Sequence, residues 1–166
     1  MCIELLPYAL PFLPLLGRMI IIVRFKHYMG DNLDEAAIDR TNHRSLIVAL
    51  AGFSFAGLLA LVALPGHLSE RALPIWYVLV SFLSYLATLN LQGYKASRWH
   101  DQIGDALYEM AALGLIASVI TFVLKSELPL AFRTIATVLA ASVWMFDFII
   151  RIRFTIEYLL IKEKAE

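Results

Sequence analysis

The stretch KASRWHDQIGDALYEMAALGLIASVITFVL, residues 95–124, begins as a polar helix and ends as a greasy one. Asp101, Asp105 and Glu109 recur at every fourth position, so on a helix they stack along one face. Residues 110–124 then carry no charge at all. An apolar run of that length, entered from a charged end, reads as a helix passing from water into hydrocarbon.

Three other stretches of the chain have the same character. With it they give four runs: residues 45–64 (SLIVALAGFSFAGLLALVAL), 73–92, 106–124 and 128–150. Each has about the 20 residues needed to cross about 30 Å of hydrocarbon. The links PGHLSERALP and KSELP contain proline, as tight helix hairpins do. Of the 166 residues 60% are hydrophobic, and the mean hydropathy is +0.73. Soluble domains lie near about 45–50% apolar. The expected fold is an all-α integral membrane protein: a four-transmembrane-helix bundle with an additional N-terminal membrane-embedded or interfacial helix. Its parts are residues 1–44, a bundle over 45–150, and a cytosolic helical tail over 151–166.

The N-terminal LLPYALPFLPLLGRMIIIVRF is apolar enough to enter a bilayer, but Pro7, Pro11 and Pro14 remove helical hydrogen bonds and Arg18 sits inside it. Backbone groups left unpaired in lipid cost several kcal/mol each. The expectation is a re-entrant or interfacial segment over residues 5–23. A fifth full span there would place the N-terminus outside and leave the other orientations unchanged. A basic n-region is missing and Glu4 stands in its place, so no cleavable signal peptide is expected. Between this segment and residue 45, Asp31 or Asn32 reads as the cap of a short cytosolic helix that can run straight into the first span.

Basic residues set the orientation. Arg18, Arg24, Lys26, Arg40 and Arg44 precede the first run, Lys95 and Arg98 join the second to the third, and Arg151, Arg153, Lys162 and Lys164 follow the fourth. The other side holds Arg71, Lys125 and Arg133. The C-terminus is therefore expected in the cytosol, and the membrane to be the plasma (cell inner) membrane. The tail RIRFTIEYLLIKEKAE continues the fourth helix, with Ile152, Ile156, Leu159 and Leu160 as an apolar stripe that can lie on the bilayer or against a protein partner.

Polar groups collect at the cytosolic ends of the spans. Asp101 and Asp105 suit the positive end of a helix dipole, worth about 0.3–1 kcal/mol. Glu109 lies deeper and needs a partner. Asp147 and Arg151 stand at i, i+4, a natural pair. Asn90, His43 and Arg44 reach the same level from the first two spans. Two readings follow: a salt-bridged collar with Glu109 on Arg44 and Asp147 on Arg151, or a vestibule for a cation or proton with Glu109 as main ligand. His43, His100, Asp101, Asp105 and Glu109 show no HxxxH or ExxH spacing, so no metal is expected. His27, His43, His67 and His100 sit at span ends or in links, which argues against haem. No other cofactor is indicated. Cys2 is the single cysteine.

Catalysis finds no support, since no GxSxG or HExxH arrangement and no glycine-rich phosphate loop is present. The zero net charge gives no reason to expect nucleic acid. Small residues recur at i, i+4 spacing: Gly52, Ala56 and Ala60; Gly114 and Ser118; Ala136 and Ala140. Such faces let helices approach closely, within one bundle or between copies. The expected function is a homo-oligomeric ion-conducting or membrane-permeabilising assembly with an acidic cytosolic vestibule. The alternative is a non-catalytic membrane anchor or regulatory subunit of a larger complex, reached through the tail.

Overall fold

The computed structural model describes residues 2–25, 37–65, 67–92 and 98–165. Among them the regular structure is entirely helical: α1 (Cys2–Ala9), a 3₁₀ turn (Leu10–Phe12), α2 (Leu13–Arg24), α3 (Ala37–Ala63), α4 (Leu68–Gln92), α5 (Arg98–Lys125) and α6 (Leu130–Ala165). Asp31 and Asn32, the expected caps, lie outside the described residues, but α3 does run unbroken from Ala37 through the first apolar run.

Helices α4 and α5 pack most extensively, with α3 on α4, and with α2 and α6 each against α5. Ile47 and Ala51 of α3, Tyr85 of α4 and Ala111 of α5 form one buried cluster. Ile21 of α2 and Phe25, the residue that ends it, form another with Ile152 and Ile156 of α6. The α4–α5 contact is close because its side chains are small. A Cβ on Gly114 would overlap the Ser81 hydroxyl and come within 2.9 Å of the Tyr77 carbonyl. Ser81, Ser84 and Thr88 lie flat on their own helix, each hydroxyl donating to the carbonyl four residues back.

The N-terminal segment departs from expectation. Among the described residues Leu6–Arg24 is one of five helical stretches long and apolar enough to cross a membrane, where the sequence predicts a re-entrant or interfacial segment beside four spans. The prolines do not turn the segment back, because neighbouring helices supply the missing donors. Pro11 has no N–H for the Pro7 carbonyl, and the Tyr77 hydroxyl donates to it at 2.8 Å. Trp76 Nε1 donates to the Tyr8 carbonyl at 3.0 Å, with the Tyr8 ring edge-on to the indole. The carbonyl of Leu10, which Pro14 leaves free, takes the Leu13 N–H in the 3₁₀ turn. Pro74 of α4 follows the same rule: the Glu70 carbonyl four residues back receives Lys125 Nζ at 2.5 Å.

The segment also has a definite inner face. Pro11, Pro14, Arg18, Ile21, Ile22 and Phe25 are buried, at i, i+3, i+7, i+10, i+11 and i+14. Leu13, Leu16, Ile20 and Val23 between them are exposed. That is a single helical stripe laid against α5.

Three basic residues at the end where α3 and α5 finish act as caps. Arg71 donates to the carbonyls of Leu61, Leu64 and Pro65, and Arg133 to that of Leu124. Lys125 is the third, through Glu70. They satisfy orphan carbonyls at helix C-termini or beside proline.

Gly114 and Gly52 share a helix-packing motif in the sequence but not in the fold, since a Cβ on Gly52 meets nothing within 4 Å. Gly114→Ala is expected to force α4 and α5 apart and cost about 1–3 kcal/mol, the usual penalty of overpacking. Gly52→Ala should change stability by less than about 0.5 kcal/mol. Thermal unfolding of the two detergent-solubilised variants checks the difference.

Candidate functional site

The polar centre of the molecule is built on Arg18, whose side chain has no exposed surface. It projects from the buried stripe of α2 toward α5, where Gln102, Asp105 and Glu109 share one face at i, i+3 and i+7. Arg18 Nε donates to Glu109 Oε2 at 3.2 Å, and Nη2 to Oε1 at 2.5 Å, a fork-on-fork pair. Nη1 donates to Gln102 Oε1 at 2.8 Å and to Thr155 Oγ1 of α6 at 3.0 Å. Asp105 Oδ2 lies 3.7 Å from Nη2. A guanidinium has five N–H donors. Four make hydrogen bonds here, and the fifth has Asp105 beside it. Thr155 completes its own valence by donating to the Arg151 carbonyl at 2.9 Å.

A second layer lies on α5 and α6. Arg151 Nε donates to Asp147 Oδ2 at 2.8 Å. The Arg151 guanidinium also stands over the Tyr108 ring, 4.9 Å from its centroid. Tyr108 in turn meets Tyr85 edge-to-face. The two layers tie α2, α4, α5 and α6 together near one end of the bundle. Along the helix axes, Glu109 stands about 10 Å inside the Gln102 end of its apolar stretch, and Arg18 about 9 Å inside the Arg24 end of its own.

Glu109 pairs with Arg18, not with Arg44. The reason is topological: α3 lies on α4, whereas the face of α5 that carries Glu109 is covered by α2. Arg44 and Asn90 are exposed. The side chains of His43 and Asp101 lie outside the described residues. Among the small-residue positions, Gly114 and Ser118 are buried against α4, with Ser118 Oγ 3.3 Å from the Pro74 carbonyl. Gly52, Ala56, Ala60 and Ala136 are exposed, and Ala140 is half-buried.

No family model, characterised protein or solved structure matches the chain. The chemistry must be read from the geometry alone.

Among the described residues no three His, Cys, Asp or Glu side chains converge as a metal-binding group. Both oxygens of the Glu109 carboxylate accept from the Arg18 guanidinium. Such a pair holds helices together. Sequence reasoning noted Arg18 but did not place it, and it missed Gln102 and Thr155. The signal was present: an arginine on the same stripe as two prolines and three large apolar residues must face protein, and so requires an acid at matching depth.

Removing either partner of a buried ion pair costs about 3–5 kcal/mol, because the other charge is left uncompensated. Arg18→Met and Glu109→Met are each expected to lower stability by that amount. The double variant should lose clearly less than the sum, and the exchange Arg18→Glu with Glu109→Arg should recover part of it. A double-mutant cycle by thermal unfolding measures the coupling, and additive losses would show that the two side chains act independently.

Proposed function

We propose that this chain is a five-span integral membrane protein that serves as a non-catalytic anchor or regulatory subunit of a larger membrane assembly. Its N-terminus lies outside and its C-terminus in the cytosol. The support for insertion is the surface: large apolar side chains such as Leu16, Ile20, Phe53, Phe132, Val143 and Phe146 face outward on several helices. Water does not tolerate apolar patches of that extent, and lipid does. The orientation rests on the basic residues. Arg24, Arg44, Arg98, Arg151 and Arg153 stand at one end of the helices, as cytosolic residues do, and the plasma (inner) membrane is the proposed site. The opposite end has Arg71, Lys125 and Arg133, each of which donates to a backbone carbonyl.

One observation carries the anchor reading. Helix α6 is a single element of 36 residues. At 1.5 Å per residue it is about 54 Å long, against about 30 Å of hydrocarbon. Its apolar stretch ends at Glu157, and the helix continues to Ala165. A rigid helical post therefore projects into the cytosol, where a partner can be held at a fixed distance from the bilayer. The buried polar groups, meanwhile, are spent on helix–helix contacts, as the engagement of Arg18, Glu109, Gln102 and Thr155 illustrates.

A second reading is a homo-oligomeric ion-conducting or membrane-permeabilising assembly. It is favoured by the exposed face of Gly52, Ala56 and Ala60, and by Asp105, whose side chain keeps 37% of its exposure and could supply an acidic rim.

The protein is expected to stay in the membrane pellet after carbonate extraction, with a tag following Glu166 protected in intact cells. Purified into liposomes it should pass no cations. Gentle extraction from native membranes should bring a second polypeptide in fixed stoichiometry, lost when residues 158–166 are deleted. Cation flux from pure protein, abolished by Asp105→Asn, would move the conclusion to the second reading. Neither flux nor a stoichiometric partner would overturn both.

A further inference from the structure

We infer that the α1–α2 segment is a conditional span: it crosses the membrane only while docked on α4 and α5, with Glu109 as the acceptor that admits Arg18. This rests on the membrane reading above. The segment is poorly equipped to cross alone. Pro7, Pro11 and Pro14 remove backbone donors, and Arg18 puts a permanent charge in its second half. The Leu10 carbonyl is met within the segment by the Leu13 N–H, but the other deficiencies are met from other helices. The Pro7 and Tyr8 carbonyls are satisfied by Tyr77 and Trp76, which lie 70 and 68 residues away in sequence. Arg18 is satisfied by Glu109, 91 residues away, and by Gln102, 84 residues away. All of these partners follow the segment in the chain, so they are not yet made when the segment is.

Undocked, the same residues suit the bilayer surface. There Arg18 reaches headgroups and water, and the proline-freed carbonyls are hydrated. The exposed Leu13, Leu16, Ile20 and Val23 would then face the acyl chains in either placement. One sequence thus has two stable positions, and the acid on α5 selects between them. The orientation of the later spans does not depend on the choice, because their own flanking basic residues set it. The change is confined to which side of the membrane the N-terminus occupies.

Cys2, the single cysteine, is a native reporter of that side. Full-length protein in intact cells is treated with a membrane-impermeant maleimide, and a tag after Glu166 reports the opposite end. In the wild type Cys2 is expected to be labelled from outside. In Glu109→Leu the externally labelled fraction should fall by about tenfold or more, because Arg18 has lost its acceptor. Labelling should return on permeabilisation, with the tag still inside. Glu109→Gln should shift labelling in the same direction to a smaller extent, and it serves if the leucine variant fails to accumulate. The double variant Arg18→Leu with Glu109→Leu should regain external labelling, since no charge remains to be buried. A merely destabilised protein would not recover in this way. Undiminished external labelling in both Glu109 variants, with the tag inside, overturns the inference. Release of the wild type by carbonate, or external exposure of its tag, overturns the membrane reading instead.

Discussion

An arginine with no exposed surface, on a helix whose other buried neighbours are proline, isoleucine and phenylalanine, is the constraint on which the arrangement depends. Its charge cannot be shed. The helix carrying it can therefore occupy only a rotation and depth that bring the guanidinium to an acid. The Glu109 carboxylate fixes α2 against α5, and Thr155, on the same guanidinium, fixes α6 against both. Apolar packing alone would not be so selective. In lipid the hydrocarbon chains compete equally for leucine and isoleucine faces, so register between helices comes from polar contacts and close approach. A bidentate pair is demanding in angle as well as distance, which suits it to setting register.

The second organising device is the treatment of backbone that proline leaves unpaired. The carbonyl of Pro7 is met by a tyrosine hydroxyl and that of Glu70 by a lysine ammonium, in both cases from another helix. Pro11 and Pro74 thus become points of attachment rather than breaks. The same economy governs the serines and threonines of α4. Their hydroxyls close back on their own helix and leave a thin surface against which Gly114 can settle. Close approach and cross-helix capping are two results of one rule: away from water every polar group must be paired, on its own helix or on a neighbouring one.

The same rule separates what was legible in the sequence from what was not. The four long apolar runs were legible because span length is a local property. Asp147 with Arg151 was legible for the same reason, the pair being four residues apart. The N-terminal segment was not. Its prolines and arginine count against a span when judged by local rules, and the groups that compensate for them sit on α4 and α5. Glu109 was recognised as needing a partner, but Arg44 was chosen by depth alone. Only the packing order, with α3 on α4 and α2 on α5, distinguishes the two arginines. Gly52 and Gly114 likewise have the same spacing signature, and only the identity of the facing helix separates a contact from an open face.

Helix α6 shows how this division bears on function. Its C-terminal half is pinned: Phe148 lies 3.8 Å from where a Gly17 Cβ would stand, Ile152 and Ile156 join the α2 cluster, and Thr155 holds Arg18. Its other half is tethered by the short link and by Arg133, and none of its apolar stretch is fully buried. A helix fixed strongly at one end transmits position best at that end. The fixed end is the one that continues past the apolar stretch toward Ala165. The Arg18 network therefore does more than close the bundle, because it sets the angle at which the projecting post leaves it. Any partner held by the post is, on the proposed reading, oriented by an ion pair formed between two other helices.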